Sequence, residues 1–493
     1  MKEFVGILLA AGRSVTLADP DKPAIQVEVT NRDNTAVNLG TLIAKNVTLY
    51  GGIIKNSGLI QATTAVAVVG FPCGAGTSHT CNGCVPTTCA AQGLTSGSIA
   101  DGCGGTLFCG AATLPRIAGT ASSTCAIEND GSVKCWGLNG NGQLGDGTTT
   151  QRTTPVLVSG LTSAIALAGG DNFMCALIQG GTIKCWGYNG YGQLGDTTTA
   201  QKTTPVAVSG ITTAVSIAAG QFHTCARLAD GTVKCWGRNT WGQLGDNTVT
   251  QRSTPVTVLG IGGVSGISAG ATSTCALLAN GEAMCWGDNT SGQLGNGNTA
   301  SLVPVSTAGI TSGLEVAVGT DNDYGCALLS NGTAKCWGLN TNGQLGDNTV
   351  TTRTVPVVVS GLANAVDIGA YAVHSCAVLA DGSSKCWGDN TSGEIGDGTN
   401  TNRLVPTSVV GISTAVTVAP GYRHTCAMLA DNSVKCWGEG DSGQLGDGLQ
   451  RQSGAVVITS TAGTMPSVTM SDPSSGSTTA SSSVPMRQVP TGW

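Results

Sequence analysis

The sequence predicts an all-β protein whose main body is a seven-bladed β-propeller, preceded by a short β-helix-like fragment and a small cysteine-rich segment. A Cys-Trp-Gly tripeptide recurs seven times at steps of 50 or 51 residues, and a second cysteine stands ten positions before each tripeptide. A fixed period of this length indicates an array of one supersecondary unit. Seven such units suit a closed propeller, because the alternative, an open solenoid, needs polar caps that the chain does not show.

One repeat unit, residues 214–261, predicts four antiparallel strands. The predicted strands are 214–220, 224–228, 232–236 and 255–258. The second and third are joined by Ala-Asp-Gly, in which Gly231 supplies the positive φ of a short hairpin loop. The fourth begins with a proline, which is tolerated in an outer strand.

The two cysteines of each unit lie symmetrically about the hairpin turn. Opposed residues on paired strands bring their Cβ atoms to about 4.5–5.5 Å, close to the roughly 3.5–4.5 Å of a disulfide. One disulfide per unit is therefore predicted, and the pairs are Cys125 with Cys135, Cys175 with Cys185, Cys225 with Cys235, Cys275 with Cys285, Cys326 with Cys336, Cys376 with Cys386, and Cys426 with Cys436. Neighbouring strand residues face opposite ways, so the disulfide packs toward one adjacent blade and the tryptophan toward the other.

The stretch 223–246 carries a longer pattern, His-Thr-Cys-Ala-x-Leu-Ala-Asp-Gly-x-Val-Lys-Cys-Trp-Gly-x-Asn-x-x-Gly-Gln-Leu-Gly-Asp. It resembles the repeat of the regulator-of-chromosome-condensation family, in its bacterial secreted type, over about residues 113–460. The resemblance implies a seven-bladed propeller. It does not imply one function, since the family includes nucleotide exchange factors, enzyme inhibitors and repeats within larger surface proteins.

Composition narrows the class of protein and its compartment. The chain has 493 residues, of which 11% are charged, with a net charge of −6 and a pI near 5.2, which argues against nucleic acid or anionic membrane as a partner. Its twenty cysteines in paired spacing favour an extracellular or cell-surface location over the alternative of buried thiols in a cytosolic protein. No apolar run reaches the 18 or so residues of a membrane helix.

Residues 1–70 alternate turns with short runs of period two, which predicts a right-handed parallel β-helix. Segments 11–17, 37–40 and 56–62 resemble the repeats of filamentous-haemagglutinin-type secreted adhesins. The resemblance implies that the chain opens in mid-repeat, as part of a longer exoprotein. Residues 4–12 are then a strand and not a poor signal peptide.

Residues 71–112 contain the other six cysteines, which are Cys73, Cys81, Cys84, Cys89, Cys103 and Cys109. The segment resembles a small cysteine-rich module of secreted proteins and predicts three disulfides. Cys81 and Cys84 have the spacing of half a zinc site, but only His79 is near them, so we expect no metal. Residues 461–493 are rich in Ser and Thr and predict a disordered tail.

The repeats also serve as an internal alignment of polar residues. A basic residue follows the motif aspartate by six positions in five units, in the pairs Asp146 with Arg152, Asp196 with Lys202, Asp246 with Arg252, Asp347 with Arg353, and Asp397 with Arg403. Unit 4 has Asn296 and Leu302 instead. Because unit 4 lacks both charges, we predict that the acidic and the basic residue form an ion pair across the loop in the other units. The alternative is that the aspartates form a ring that binds calcium.

His223, His374 and His424 recur two residues before the first cysteine of their units. Other units have Ser123, Phe173, Ser273 and Tyr324 at this position. Such exchange argues against a catalytic or metal-binding role and favours a local hydrogen bond. Since no nucleophile motif, phosphate loop or metal spacing is present, we expect neither enzyme activity nor a cofactor.

One face of the predicted propeller gathers aromatic residues that the repeat does not require. The loop from strand one to two and the loop from three to four lie on this face, and they carry Phe173, Tyr188, Tyr191, Phe222, Trp241, Tyr324, Tyr371 and Tyr422. Aromatic residues on loops are typical of binding hot spots. The alternative is that each ring packs over its own blade.

Three classes of function are compatible with these features. The first is a non-enzymatic secreted or cell-surface adhesin-like protein, whose propeller binds an unknown protein or glycan. The second is an inhibitor of a secreted enzyme. Secretion of the protein as a free, short chain would favour this class. The third is a guanine nucleotide exchange factor for a small GTPase, which the cysteines contradict because that role belongs to a reducing compartment.

Overall fold

The computed structural model describes residues 116–320 and 323–451, together with the backbone of eight flanking strands. All the secondary-structure elements in these parts of the chain are β-strands, which confirms the predicted all-β class. The proposed strand at 4–12, the cysteine pairing in 71–112 and the tail 461–493 lie outside the described residues.

The first five strands form two parallel sheets. They are β1 (Ile25–Glu28), β2 (Thr35–Asn38), β3 (Leu42–Gly51), β4 (Ile53–Asn56) and β5 (Ile60–Gly70). Strands β1, β3 and β5 pair in one sheet and β2 and β4 in the other, all in parallel. Alternation between two parallel sheets agrees with the predicted β-helix-like arrangement. Strands β6 (Ser96–Ala100) and β7 (Thr106–Gly110) form an antiparallel pair in the cysteine-rich segment.

Seven four-stranded antiparallel sheets follow, each built from consecutive strands. Blade 1 is β8 (Ile117–Gly119), β9 (Ser123–Ile127), β10 (Val133–Gly137) and β11 (Arg152–Leu157); blade 2 is β12 (Ala164–Gly169), β13 (Phe173–Ile178), β14 (Ile183–Gly187) and β15 (Lys202–Ala207); blade 3 is β16 (Ala214–Ala219), β17 (His223–Leu228), β18 (Val233–Gly237) and β19 (Arg252–Thr257); blade 4 is β20 (Val264–Ala269), β21 (Ser273–Leu278), β22 (Ala283–Gly287) and β23 (Ser301–Ser306). Blade 5 is β24 (Gly313–Val318), β25 (Tyr324–Leu329), β26 (Ala334–Gly338) and β27 (Arg353–Val358); blade 6 is β28 (Ala365–Tyr371), β29 (His374–Leu379), β30 (Ser384–Gly388) and β31 (Arg403–Ser408); blade 7 is β32 (Ala415–Pro420), β33 (His424–Leu429), β34 (Val434–Gly438) and β35 (Ser453–Ile458).

The hairpin of blade 3 follows the prediction closely. Gly231 has φ +78°, and the Asp230 carboxylate accepts a hydrogen bond of 2.9 Å from the Thr232 amide. The outer strand begins at Arg252, three residues before the predicted start at Pro255. Arg252 pairs with Gly237 across a β-bulge, so the outer strand is longer than the proline alone indicates.

The blades contact one another through a repeated disulfide–tryptophan core. All seven predicted disulfides are confirmed, with directly opposed cysteines and Cα–Cα distances of 4.0–4.1 Å. The disulfide of each blade packs with the tryptophan of the next, as Cys225 and Cys235 do with Trp286. The two faces of the Cys-Trp dipeptide therefore serve opposite neighbours, as predicted.

The ring closes by the same contacts that join all other blades. Trp136 of blade 1 packs with Cys426 and Cys436 of blade 7, and its indole N–H donates to the Gln444 carbonyl at 2.8 Å. Each blade comes from one contiguous stretch, so no strand is exchanged between the two ends of the ring.

Reduction of the disulfides should lower the melting temperature sharply. Each closes a loop of about eleven residues and contributes slightly less than about 3 kcal/mol, so seven rival the whole net stability of a domain, about 5–15 kcal/mol. Scanning calorimetry with and without reductant measures the effect. Thiol titration of the unfolded, unreduced chain is the control: seven or more reactive thiols would show that at least one blade lacks its bridge.

Candidate ligand-binding face

The loop after the third strand of each blade is held by motif residues. In blade 3 the Asn239 amide oxygen accepts from the Leu244 amide at 3.0 Å, and its nitrogen donates to Asp246 and to the Thr248 carbonyl, both at 3.0 Å. Gly245 has φ +69°, and a Cβ atom there would lie 2.8 Å from Nε1 of Trp286 in the next blade. These motif positions are therefore structural, and the positions between them are free to vary.

The predicted ion pairs form in all five blades. The distances between the basic nitrogen and the carboxylate oxygen are 2.8 Å for Arg152 with Asp146, 3.2 Å for Lys202 with Asp196, 3.0 Å for Arg252 with Asp246, 2.8 Å for Arg353 with Asp347, and 2.6 Å for Arg403 with Asp397. In blade 4 the structural equivalent of Arg252 is Ser301 and not Leu302, because the loop is one residue shorter. Blade 7 adds a pair between Arg451 and Asp447 that the six-residue spacing does not reveal.

These contacts favour the structural interpretation of the aspartates over calcium binding. Burial raises the pKa of Asp246, but hydrogen bonds from Thr248 and Arg252 outweigh it and hold the pKa below its usual value. No group of three or more acidic, histidine or cysteine side chains in the described part of the chain is arranged to hold a metal ion.

The three recurring histidines bond to the following blade. The distances from Nε2 to the threonine hydroxyl are 2.8 Å from His223 to Thr274, 2.7 Å from His374 to Thr425, and 3.0 Å from His424 to Thr124. Burial lowers the pKa of His223 and His374 to about 3 and that of His424 to about 4, so all three are neutral at pH 7. A hydrogen bond is present at each histidine as predicted, but it is not local, because it joins the histidine to the following blade.

Three of the eight predicted face aromatics come together. Tyr188 and Tyr191 of blade 2 meet Phe222 of blade 3, with ring centroids 5.1 Å apart for Tyr191 and Phe222 and 6.0 Å apart for Tyr188 and Phe222. The guanidinium of Arg238 lies 5.5 Å from the Tyr191 centroid and 5.9 Å from that of Phe222. Trp241, in the same loop as Arg238, is 43% exposed. We call these five residues the aromatic patch.

Three other predicted residues are buried, which corrects their assignment to a ligand-binding face. Phe173 and Tyr324 are fully buried in the cores between blades, and Tyr371 is 4% exposed. Tyr324 donates to the Tyr371 carbonyl at 2.9 Å. Phe173 and Tyr324 occupy the position of the recurring histidines, where the side chain points toward the next blade. Their rings therefore serve packing.

The eighth residue, Tyr422, is half-buried at blade 7, with the guanidinium of Arg423 5.5 Å from its ring centroid. The position after Cys-Trp-Gly is acidic in blades 4, 6 and 7, where it is Asp288, Asp389 and Glu439, but is Arg238 in blade 3. The charge at this loop position is therefore positive in blade 3 and negative in blades 4, 6 and 7. Sequence reasoning missed Arg238, although alignment of this one position across the seven repeats would have found it.

Family models match the part of the chain that forms the propeller. A model described as an RCC1-like domain matches residues 110–371, and models of the regulator of chromosome condensation (RCC1) repeat match residues 365–394, 386–428 and 415–444. The chain belongs to the RCC1-like family. No curated protein sequence matches the RCC1-like chain.

Solved structures share the fold of the RCC1-like propeller. Yeast RCC1 (Prp20) bound to Kap60 has a TM-score of 0.59 and 22% identity over 69% of this chain and 83% of its own. Prp20p from Saccharomyces cerevisiae has a TM-score of 0.60 and 23% identity, over 68% and 88%. Human WBSCR16 has a TM-score of 0.59 and 21% identity, over 66% and 94%.

The RCC1-like motif changes at one buried position that sequence reasoning also missed. Six blades have glutamine before the motif leucine, whereas blade 6 has Glu394. Glu394 is fully buried; one carboxylate oxygen accepts from the Ser392 amide at 2.7 Å, and the other has no partner in the described residues. Burial raises the pKa of Glu394 to about 7, with a further increase from Asp389.

Glu394→Gln should therefore stabilise the propeller at pH 8, by up to roughly 3 kcal/mol. The folded state binds this proton below pH 7 and the unfolded state only near pH 4.5, so the gain shrinks as pH falls from 8 to 5. Chemical denaturation at both pH values measures it.

The reverse change, Gln344→Glu in blade 5, is the matched control and should destabilise more at pH 8 than at pH 5. Equal effects of Glu394→Gln at the two pH values would contradict a raised pKa.

Proposed function

We propose that this RCC1-like protein is a non-enzymatic secreted or cell-surface binding protein that engages a protein or glycan through the aromatic patch. The patch combines three half-buried rings and a guanidinium at the junction of blades 2 and 3 with the exposed indole of Trp241 farther along the Arg238 loop. This cluster is the observation that carries the proposal.

The chemistry of the patch suits both classes of partner. Tyr and Trp offer large, rigid faces together with a polar edge, and Arg adds charge and several hydrogen-bond donors. None of the five side chains belongs to the motif that builds the loops. A guanidinium over aromatic rings is held in place before binding, so less conformational freedom is lost when a partner docks.

The remaining features support a binding protein outside the cytosol. Seven buried disulfides are typical of oxidising compartments. The recurring histidines, the residues best suited to acid–base chemistry, are neutral and enclosed between blades. Within the described residues no helix is long and apolar enough to cross a membrane.

Tyr191→Ala combined with Trp241→Ala should weaken partner binding at least tenfold and leave the melting temperature unchanged. The side chains contact the partner and lie outside the interblade cores. The measurement is binding of labelled propeller to an array of glycans and extracellular proteins, with affinities then determined by calorimetry.

The sevenfold repeat offers a matched control. Asn342 and Ser442 occupy the same loop position in blades 5 and 7, so Asn342→Ala with Ser442→Ala should leave binding intact. A loss of stability with binding retained per folded molecule would assign the aromatic patch to packing. Inhibition of a captured enzyme would identify the protein as an inhibitor.

A further inference from the structure

The inner strands of the seven blades surround a central cavity of about 580 Å³. Its wall consists mostly of small and aliphatic residues, and its only charged side chains among the described residues are Arg227, Glu315 and Asp367. An apolar cavity of about 300–1,000 Å³ with a few placed polar groups is the usual form of a small-molecule site.

Tyr371 crosses one mouth of this cavity. It stands where blades 2, 3, 4 and 7 have glycine, at Gly170, Gly220, Gly270 and Gly421. Its hydroxyl donates to the Gly170 carbonyl of blade 2 at 3.3 Å. Blades 6 and 2 are three apart, the largest separation in a ring of seven, so the side chain reaches across the axis. A ligand would therefore enter from the opposite face, where the hairpin turns lie.

The three charged residues have backbone positions in the wall of the cavity that are equivalent or directly paired. Glu315 and Asp367 follow the β-bulge of the inner strand in blades 5 and 6. Ser216 holds the same position in blade 3, and Arg227 pairs directly with it. The guanidinium and the two carboxyl groups thus extend from different walls of the cavity, the guanidinium toward Val264 and the carboxyl groups toward the next inner strands.

The carboxyl groups also have a structural role that does not require charge. Glu315 accepts from the Ile368 amide at 3.2 Å, and Asp367 accepts from the Val418 amide at 2.9 Å, so each caps an unpaired N–H of the next inner strand. The Ser268 hydroxyl does the same for Val318 at 3.0 Å without charge. Capping alone does not explain two acidic groups in one cavity.

Two adjacent acids are unfavourable here without a cation. Burial raises the pKa of Asp367 to about 6, and burial together with Asp367 raises that of Glu315. A positively charged group between them would offset both effects.

Arg227 likewise has unused hydrogen-bonding capacity. The equivalent residues of the other blades are Ile127, Leu177, Leu277, Leu328, Val378 and Met428. Its Nη1 donates to the Val264 carbonyl at 3.5 Å, and its Nε is buried without a partner among the described residues. A guanidinium at an aliphatic position, lining a cavity, suits a carboxylate.

We propose that the central cavity binds a small zwitterion of the amino acid or short peptide class, with its carboxylate on Arg227 and its ammonium group at Glu315 and Asp367. A simple cation would leave Arg227 unmatched, and a simple anion would leave the two acids unmatched. The site is separate from the aromatic patch, so each proposal stands or fails by itself.

Ligand-observed NMR of the full chain tests this with pools of the twenty amino acids and of glycyl dipeptides as the two sources. Matched pools of N-acetylated and of C-amidated compounds lack one charge each. We expect binding from free zwitterions of one pool and at least tenfold weaker binding from both blocked series. Absence of binding from both free pools, or equal binding of the blocked compounds, would overturn the proposal.

Variants place the ligand in the cavity. Arg227→Leu, which introduces the residue found in blades 2, 4 and 5, and Asp367→Asn should each weaken binding at least tenfold. Arg238→Leu, in the aromatic patch, should leave it unchanged. Melting curves verify that each variant is folded. Full affinity in folded Arg227→Leu or folded Asp367→Asn would remove the ligand from this cavity.

Discussion

The hydrogen bond from each repeat indole to the preceding blade is the contact on which the propeller depends. Trp236 donates to the Gln193 carbonyl at 2.9 Å, and the other six tryptophans make the equivalent bond to their own preceding blades. A buried indole N–H without a partner would cost about 1–3 kcal/mol. Tryptophan, the motif glycine beside it and the carbonyl are therefore required together in every repeat.

The disulfides pack against the tryptophans in each interblade core. Only 4% of the residues are aromatic, so one tryptophan and one disulfide form the centre of each interblade core, and Phe173 and Tyr324 add a second ring to two of these cores. The contacts are nearly the same at all seven junctions, including the one between blades 7 and 1. Stability is therefore distributed around the ring in similar increments, as in other repeat proteins.

The proposed binding sites lie at positions that this repeated framework leaves variable. The same internal symmetry that builds the ring makes departures from it visible: aromatic rings and Arg238 on the loops of blades 2 and 3, Arg227 on the second strand of blade 3, and Glu315, Asp367 and Tyr371 on the inner strands of blades 5 and 6. Two different surfaces result, one on the outer loops and one around the axis. At each of these positions the other blades serve as the comparison.

By itself, the sequence determined the all-β class, the number of blades, the seven disulfides and the ion pairs of the loops. These features depend on local spacing, since Cys225 and Cys235 face each other across one hairpin and Arg252 follows Asp246 within one loop. Only the tertiary structure decided which aromatic rings are exposed. Phe173 and Tyr324 are the first residues of their strands, whereas Phe222 lies one position before its strand, and this shift of one position turns the side chain toward the next blade. The tertiary structure also brought Tyr371 to Gly170, 201 residues away, because closure of the ring places distant blades around one axis.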